Sequence, residues 1–467
     1  MKRLLCLTYI LLFFLTGCRT TDPESGKPLT VAIPLDYSGG TGVLQTDRAW
    51  WKSFKNEELN RLIADALKNS FDVKEVRARL AQARAALKKE KASALPGLDY
   101  SVGGQRSATQ VKKSHSRSAV SDGSHSWDTS FTGTWTPDIW GDDSAATASR
   151  QKTVEAVKQD FEFTQWELSA RIAELWIDII ATRNKIEILQ KQIEGSHRQL
   201  ELLELRFANG KADALDLSQQ REALAETRSQ EPLLRRQEKI FHHTLMFLAG
   251  KTSPKDITIE TAGLPDSFLS ASPGIPSDLL ENRPDIRAAR QRLMSSLWDV
   301  EVARADLLPS LKLTASALFS SGTLDLLFHN WVTALTAAVT GPIFDGGFKR
   351  AEVERLKAVA QEQLNTYART VADAIREVED SLVSIRTQDD FIGLLEEELV
   401  FARLTLKDAL VQYWNGKGSY LAYFVVLTRV ERLERQLIGE KAAAIKERIR
   451  LYQVLGFTPV PHDNLNY

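Results

Sequence analysis

Two thiols, seven imidazoles and three thioethers are the nucleophilic or metal-seeking side chains of this 467-residue chain. The imidazoles include no His-Glu-x-x-His pair, the spacing that sets two nitrogens on one helix face around zinc. His242 and His243 are adjacent, so on a helix they face different directions. Met1, Met246 and Met294 are too scattered for a relay of soft copper ligands. There is no glycine-rich nucleotide loop, and the many Asp and Glu fall on helical faces, where solvated ion-pair partners are the default. The chain reads as no enzyme, with no catalytic residue, no cofactor and no metal site.

One thiol does have a chemical context. Lys2 and Arg3 precede the apolar run Leu4 to Leu15, which ends in Leu15-Thr16-Gly17-Cys18. A basic start, a short apolar stretch and a small-residue site are the parts of a secretory leader. The run is too short for a permanent membrane helix, which needs about 20 apolar residues. The last four residues resemble the bacterial lipobox, in which the thiol takes a diacylglycerol and becomes the new N-terminus. Cys18 is therefore the expected lipidation site and an anchor in membrane lipid, held by more than one acyl chain. An ordinary leader with an incidental cysteine is the competing reading. In Gram-negative lipoproteins an Asp after the cysteine typically holds the protein at the inner membrane; Arg19 here points to the outer one. With Cys6 lost and Cys18 acylated, no intramolecular disulfide remains. Sixty basic and 61 acidic residues give a net charge of −1, which offers no footing for nucleic acid.

A long internal repeat positions everything else. Leu95-Pro96-Gly97-Leu98, Trp127, Asn209-Gly210-Lys211 and Leu248-Ala249-Gly250 return in order as Leu308-Pro309-Ser310-Leu311, Trp331, Asn415-Gly416-Lys417 and Val454-Leu455-Gly456. The period of about 200 residues marks a supersecondary unit present twice. Each copy opens with two alternating segments. Trp127, Thr129, Phe131, Gly133 and Trp135 alternate with Ser126, Asp128, Ser130, Thr132 and Thr134. Leu311, Leu313, Ala315, Ala317 and Phe319 alternate with Ser310, Lys312, Thr314, Ser316 and Ser320. Leu98, Tyr100 and Val102 begin a third such segment, and Trp331, Thr333, Leu335, Ala337 and Val339 form a fourth. Period two over about ten residues, with aromatic ends at Trp127, Trp135, Trp140 and Trp331, is the pattern of membrane strands. A soluble antiparallel sheet with one wet face shares the alternation. The Ser-, Lys- and His-rich stretch 107–126 reads as a long exposed loop between the first two strands. Four strands are too few to close a barrel, since about eight is the small-barrel minimum. Open edges are prohibitive in lipid, so the wall must be shared with copies of the chain.

Most of the remainder reads as two helical hairpins. From about Ser144 to Ala208 there is no Pro and only Gly195. Leu168, Ile172, Leu175, Ile179, Thr182, Ile186, Leu189, Ile193, Ser196, Leu200, Leu203 and Phe207 recur at alternating steps of four and three, a coiled-coil seam. Some 65 residues at 1.5 Å each reach about 100 Å. Asn209-Gly210 supplies a turn, and a return helix is expected over Asp213 to Ala249, its pattern interrupted by Pro232. The second copy has its seam at Val371, Ile375, Val378, Leu382 and Ile385, its turn at Asn415-Gly416 and a return helix ending near Leu455. Shorter helices are expected over 56–91 and 276–306, and the Pro-rich stretch 254–276 suggests the repeat junction.

Asn282-Arg283-Pro284-Asp285-Ile286-Arg287 ahead of Leu308-Pro309-Ser310-Leu311, Trp135-Thr136-Pro137-Asp138-Ile139-Trp140-Gly141, Gly341-Pro342-Ile343-Phe344-Asp345-Gly346-Gly347 and the two Asn-Gly turns resemble, in order and spacing, the outer-membrane factor family of TolC-like channels, in its lipoprotein efflux branch of the NodT/OprM type. The likeness covers nearly the whole chain after the leader. It implies a mainly α fold with a membrane β-barrel portion: a trimeric TolC-like channel with four strands and two long helical hairpins per protomer. The expected divisions are 1–17 leader, 18–55 anchor and linker, 56–275 first repeat, 276–457 second repeat and 458–467 tail.

The function implied is the outer-membrane channel of a tripartite efflux system, a passive exit duct for small molecules. Its implied partners are a second and third copy of the chain, a periplasmic adaptor and an inner-membrane pump of the resistance-nodulation-division type. The resemblance puts adaptor docking at Asn209, Gly210, Lys211, Asn415, Gly416 and Lys417, and the aperture at Asp216, Tyr413, Tyr420, Tyr423 and Phe424. Two positions depart from the family pattern: Val425 and Gly418 stand where charged residues are frequent, which puts a charged closing ring from the second repeat in doubt. Tyr420, Tyr423, Phe424, Val425 and Val426 fit an aromatic constriction and plain helix-on-helix packing equally. A channel for type I protein secretion, a lipid-anchored adaptor and a coiled-coil structural lipoprotein without a pore are the rival classes; duplicated strand pairs argue against the last two.

Overall fold

A computed structural model describes residues 33–38, 50–112, 119–253, 257–265 and 274–456. Cys18 and the tail 458–467 lie outside the described residues. After a 3-10 turn at Trp50–Phe54 the order is α1 (Glu57–Asn69), α2 (Phe71–Ser93), β1 (Gly97–Lys112), β2 (Ala119–Trp135), α3 (Asp142–Ala208) and α4 (Ala214–Leu248). Then follow α5 (Leu279–Asn282), α6 (Pro284–Ala305), β3 (Ser310–Ser321), β4 (Trp331–Thr340), α7 (Phe348–Trp414) and α8 (Tyr420–Val454). The two long helices α3 and α7 both have 67 residues, and the two return helices both have 35.

The shorter helices lie where they were expected, and one expectation needs correcting. Over 56–91 there are two helices, because Ser70 takes φ −52° and ψ 140° and gives its N–H to Ala66. Over 276–306 the helices part at Arg283, whose extended backbone (ψ 121°) is what a following proline demands. The expected loop 107–126 is largely ladder: β1 and β2 pair from Gly97↔Thr134 out to Lys112↔Ala119. Its sequence carries no hydrophobic period to mark it. The Ser107 and Ser124 hydroxyls bond across it at 2.7 Å. Pro232 lies inside a continuous α4.

The chain forms two compact units. The first gathers 80–157 and 289–367 around one antiparallel sheet of order β1-β2-β3-β4. Its strand ends are tied down by indoles: Trp135 Nε1 donates to the Ala94 carbonyl at 3.2 Å, and Trp140 Nε1 to the Pro309 carbonyl at 2.7 Å. Each long helix is started by an aspartate. Asp138 Oδ2 accepts from the Ser144 N–H at 2.9 Å, and Asp345 accepts from the Gly347 and Lys349 N–H groups at 2.9 and 3.0 Å. Burial opposes ionisation of Asp138, but the Ser144 hydrogen bonds outweigh it and hold its carboxyl below the usual range. Asp142 beside it is pushed up to about 6 by burial and by the Asp138 carboxylate.

The second unit holds 30–79, 158–288 and 368–456 of the described chain. Burial along α3 is wider than one seam: Ala173, Trp176, Ile177 and Ile180 are buried together with Ile172, Ile179 and Leu189. The helix has neighbours on several sides there. Trp176 reaches Glu58 with its indole N–H at 2.8 Å, and that carboxylate also accepts from the Glu260 N–H at 2.6 Å. Gly250 and Gly456 end the two return helices with φ +68° and +84°. A Cβ on Gly250 would stand 2.2 Å from the Asn69 carbonyl oxygen, and one on Gly456 would stand 2.9 Å from the Arg283 nitrogen. Each return helix therefore closes against the end of a short helix, α1 in one case and α5 in the other. Arg283 itself is 5% exposed. Its guanidinium holds Asp285 with two bonds (3.0 and 2.6 Å), Glu377 at 2.8 Å and the Val454 carbonyl at 3.1 Å. Burial opposes that charge, and the Asp285 and Glu377 carboxylates more than compensate.

Candidate membrane sheet and helical tips

Antiparallel register puts the apolar rows of the four alternating segments on one face, with Leu318 and Val332 the large apolar residues left on the other. Directly opposed there are Tyr100 and Phe131, Phe131 and Ala317, Ala315 and Leu335, Phe319 and Trp331, and Leu311 and Val339. The face is bare: Leu98 and Tyr100 are each 76% exposed, and Leu335 is 85% exposed. The opposite face carries Asp99, Ser101, Asp128, Ser130, Thr132, Lys312, Thr314, Ser316 and Thr336. Ser101 and Ser130 share a hydroxyl hydrogen bond there at 2.8 Å. Gly104 lets the Trp127 ring lie flat across β1, since a Cβ at that position would stand 2.6 Å from Trp127 Cζ3. β1 and β4 are the sheet's edges, each paired on one side among the described residues. A bare apolar face of this extent in water is a strong liability, and in lipid it is the required surface.

The helical tips lie in the second unit. At the first, Gly210 takes φ +64°, the Gly210 N–H returns to Phe207 at 3.0 Å and the Lys211 N–H to Arg206 at 2.8 Å. At the second, Gly416 takes φ +69°, with Gly416 to Tyr413 at 3.1 Å and Lys417 to Gln412 at 2.9 Å. This is the same glycine-terminated helix stop in both copies, and it explains the Asn-Gly pairs. Asn209 also gives its side-chain amide to Leu205 at 2.6 Å. Asp213 and Ser419 cap the return helices, accepting from the Ala214 N–H at 3.0 Å and the Ala422 N–H at 3.2 Å. Asn209, Gly210, Lys211, Asn415, Gly416 and Lys417 are all exposed.

Behind the turns the candidate aperture residues come together with partners that the spacing alone did not single out. The Arg206 guanidinium sits 4.8 Å from the Tyr413 ring and 5.1 Å from the Trp414 ring, joining the end of α3 to the end of α7. Tyr413 stacks on Tyr423 at 6.2 Å and meets Tyr420 edge-on at 5.6 Å, and Tyr420 stacks on Phe424. Tyr420 donates its hydroxyl to Gln220, which donates in turn to the Ser196 carbonyl at 2.9 Å and hydroxyl at 2.7 Å. Gln199 donates to the Tyr423 hydroxyl at 2.6 Å. Burial raises all three tyrosines, Tyr423 to about 12, so these phenols stay neutral donors and acceptors. Tyr420 and Tyr423 are 4% and 6% exposed and pack with Leu203 and Leu217. They are inside helix-on-helix packing, whereas Asp216 and Phe424 are half-buried and Val425 is exposed.

Further along the same helices, Gln192 on α3 accepts from Arg435 and donates to the Glu431 carbonyl at 3.1 Å, and Arg403 on α7 holds Glu434 at 2.7 Å. Burial, with Glu434 assisting and Arg435 opposing, pushes Glu431 up to about 7. No helix among the described residues is long and apolar enough to cross a membrane.

The family described as outer membrane efflux protein matches residues 62–251 and 275–457. The pyoverdine export outer membrane protein OpmQ of Pseudomonas aeruginosa is 29% identical over 465 residues, spanning 98% of this chain and 97% of that protein. The toluene efflux pump outer membrane protein TtgF of Pseudomonas putida is 25% identical, spanning 87% of this chain and 85% of that protein. The CmeC outer membrane channel of Campylobacter jejuni superposes with a TM-score of 0.85 at 21% identity, over 94% of this chain and 96% of that one. The bare strand face, the twin 67-residue helices and the match along both repeats agree: the chain belongs to the outer membrane efflux protein family and is an outer-membrane efflux channel.

Proposed function

We propose that three copies of the chain complete one duct, with twelve strands in the outer membrane and the long helices carrying the wall into the periplasm. The observation that carries this is the open four-stranded sheet, bare and apolar on one face, polar on the other, with β1 and β4 each lacking an outer partner among the described residues. In lipid each unpaired backbone group costs several kcal/mol, on the order of the figure for amide burial. Pairing β4 of one copy with β1 of the next removes both edges. The inward face, rich in Ser and Thr with few charges, suits passive passage of varied small molecules rather than selective binding.

On this reading the duct has no energy source of its own and works with a periplasmic adaptor and an inner-membrane pump of the resistance-nodulation-division type. The adaptor meets the exposed turns at 209–211 and 415–417. Asp216, Phe424 and Tyr413 border the aperture, while Tyr420 and Tyr423 set the spacing of the helices behind it. Acylated Cys18 anchors the chain in the outer membrane, and the two repeats divide at 275/276. OpmQ and TtgF carry names that specify pyoverdine and toluene, which favours small organic cargo over protein for this chain as well. Planar-bilayer recording of the purified full-length protein tests the reading. Stable ion-conducting steps are expected, and their absence from a correctly assembled oligomer would refute it.

A further inference from the structure

From Leu98 to Ala108 on β1 the apolar face of the sheet has one charged rung. Arg106 on β1 stands directly opposite His125 on β2, and both are exposed. From Leu98 to Gly104 on β1, from Trp127 to Trp135 on β2 and throughout β3 and β4, the described residues of this face include no other Lys, Arg, His, Asp or Glu. The rung sits at the hairpin end of the strands, one step beyond the Trp127 and Gly104 pair. That step is about 7 Å along the strand. At the other end of the face the last rungs are Trp135 with Leu313 and Leu311 with Val339, without a cation. The polarity of the face is therefore one-sided.

We propose that Arg106 and His125 form a binding rung for the phosphate group of an outer-leaflet membrane lipid. The proposal rests on the channel reading above, which sets the hairpin end of the sheet at the outer surface. An indole lying flat on the strand marks the level where acyl chains give way to headgroups. A cation one rung further out stands at headgroup depth, and the long stem of arginine lets its head follow the phosphate. The guanidinium fork matches phosphate oxygens with two parallel bonds, and the imidazole N–H adds a third donor from the opposite strand. Arg106 has no hydrogen bond or ion pair to another described residue, so its donors are open to a lipid. A tryptophan held flat by Gly104 gives the site a wall on its acyl-chain side. The occupant is committed by charge and place: an anionic phosphate whose own chains cover Tyr100, Trp127 and Phe131.

Native mass spectrometry of the full-length protein in detergent tests this, with lipid A carrying both phosphates and the same lipid with the phosphates removed. The wild-type protein should bind the phosphorylated form about tenfold or more tightly, the discrimination that one charge-assisted bidentate contact supplies. Arg106→Gln with His125→Gln should bring the two lipids within about twofold, and Arg106→Lys should fall between. Lys89→Gln, an exposed cation outside the sheet, should leave the preference intact. Raising NaCl from about 0.05 to 0.5 M should shrink the wild-type preference, which decides the matter if the double variant does not assemble. Equal binding of the two lipids by wild type, or an unchanged preference in the double variant, overturns the proposal. Conductance recorded on the same preparation separates the failures: a conducting channel without phosphate preference sinks only this inference, whereas a non-conducting one sinks the channel reading.

Discussion

Replacing Arg283 by Met should open the closure where α8 meets α5. The arginine is buried, and four hydrogen bonds join it to Asp285, Glu377 and the Val454 carbonyl. Methionine keeps much of the volume and leaves two carboxylates and a carbonyl without their donor. Removing one partner of a buried ion pair typically costs about 3–5 kcal/mol. The side chains of Asp285 and Glu377 are 23% and 34% exposed, so water recovers part of that and the low end, about 3 kcal/mol, applies. The loss is local, so native-state hydrogen exchange is the right assay. Amides of 279–283 and 448–456 should exchange about 100-fold faster, since each 1.4 kcal/mol is tenfold. Amides of α1 should change little. Arg283→Lys, which keeps the charge but not the fork, should recover only part of the protection. Unchanged exchange in both segments of the methionine variant would refute the idea that this guanidinium holds them together.

Gly250→Ala and Gly456→Ala should each destabilise the second unit, because both combine a positive φ with backbone closer than 3 Å to the new carbon; Gly195→Ala, with open space around it, should not, and thermal melts compare the three. Glu431 titrates high in the folded protein, so its contribution is most favourable when it is protonated: stability should fall as pH rises from the ordinary carboxylate range through about 7, and flatten above. Glu431→Gln should remove that slope between pH 5 and 8 in the same melts. Leu335→Arg on the bare strand face should cost about 2–4 kcal/mol near mid-membrane and reduce the yield of assembled oligomer on gels, while Thr336→Arg on the opposite face should assemble normally.

The strands and long helices were legible because apolar side chains repeat along them: alternation at two for Trp127 to Trp135, and at three and four for Leu168 to Leu203. The hairpin end of the sheet was not, since its sequence carries no hydrophobic period. Nor was the breadth of burial on α3, where Trp176 and Ile180 face neighbours other than the single seam. At the tips, the Asn-Gly stops announced the turns, yet nothing local announced Gln220, a buried amide that joins Ser196 to Tyr420 across 200 positions of sequence. Arg283 stood out by its place before Pro284 and Asp285, but its bonds to Glu377 and Val454 depend on segments that meet only in the folded chain.

The central claim is that one chain supplies only part of a closed wall, and its most direct test is the mass of the detergent-solubilised full-length protein, measured with detergent contrast-matched in analytical ultracentrifugation. A single species of three chains is the expected result. A stable, folded species of one chain, with both sheet edges open, would contradict it.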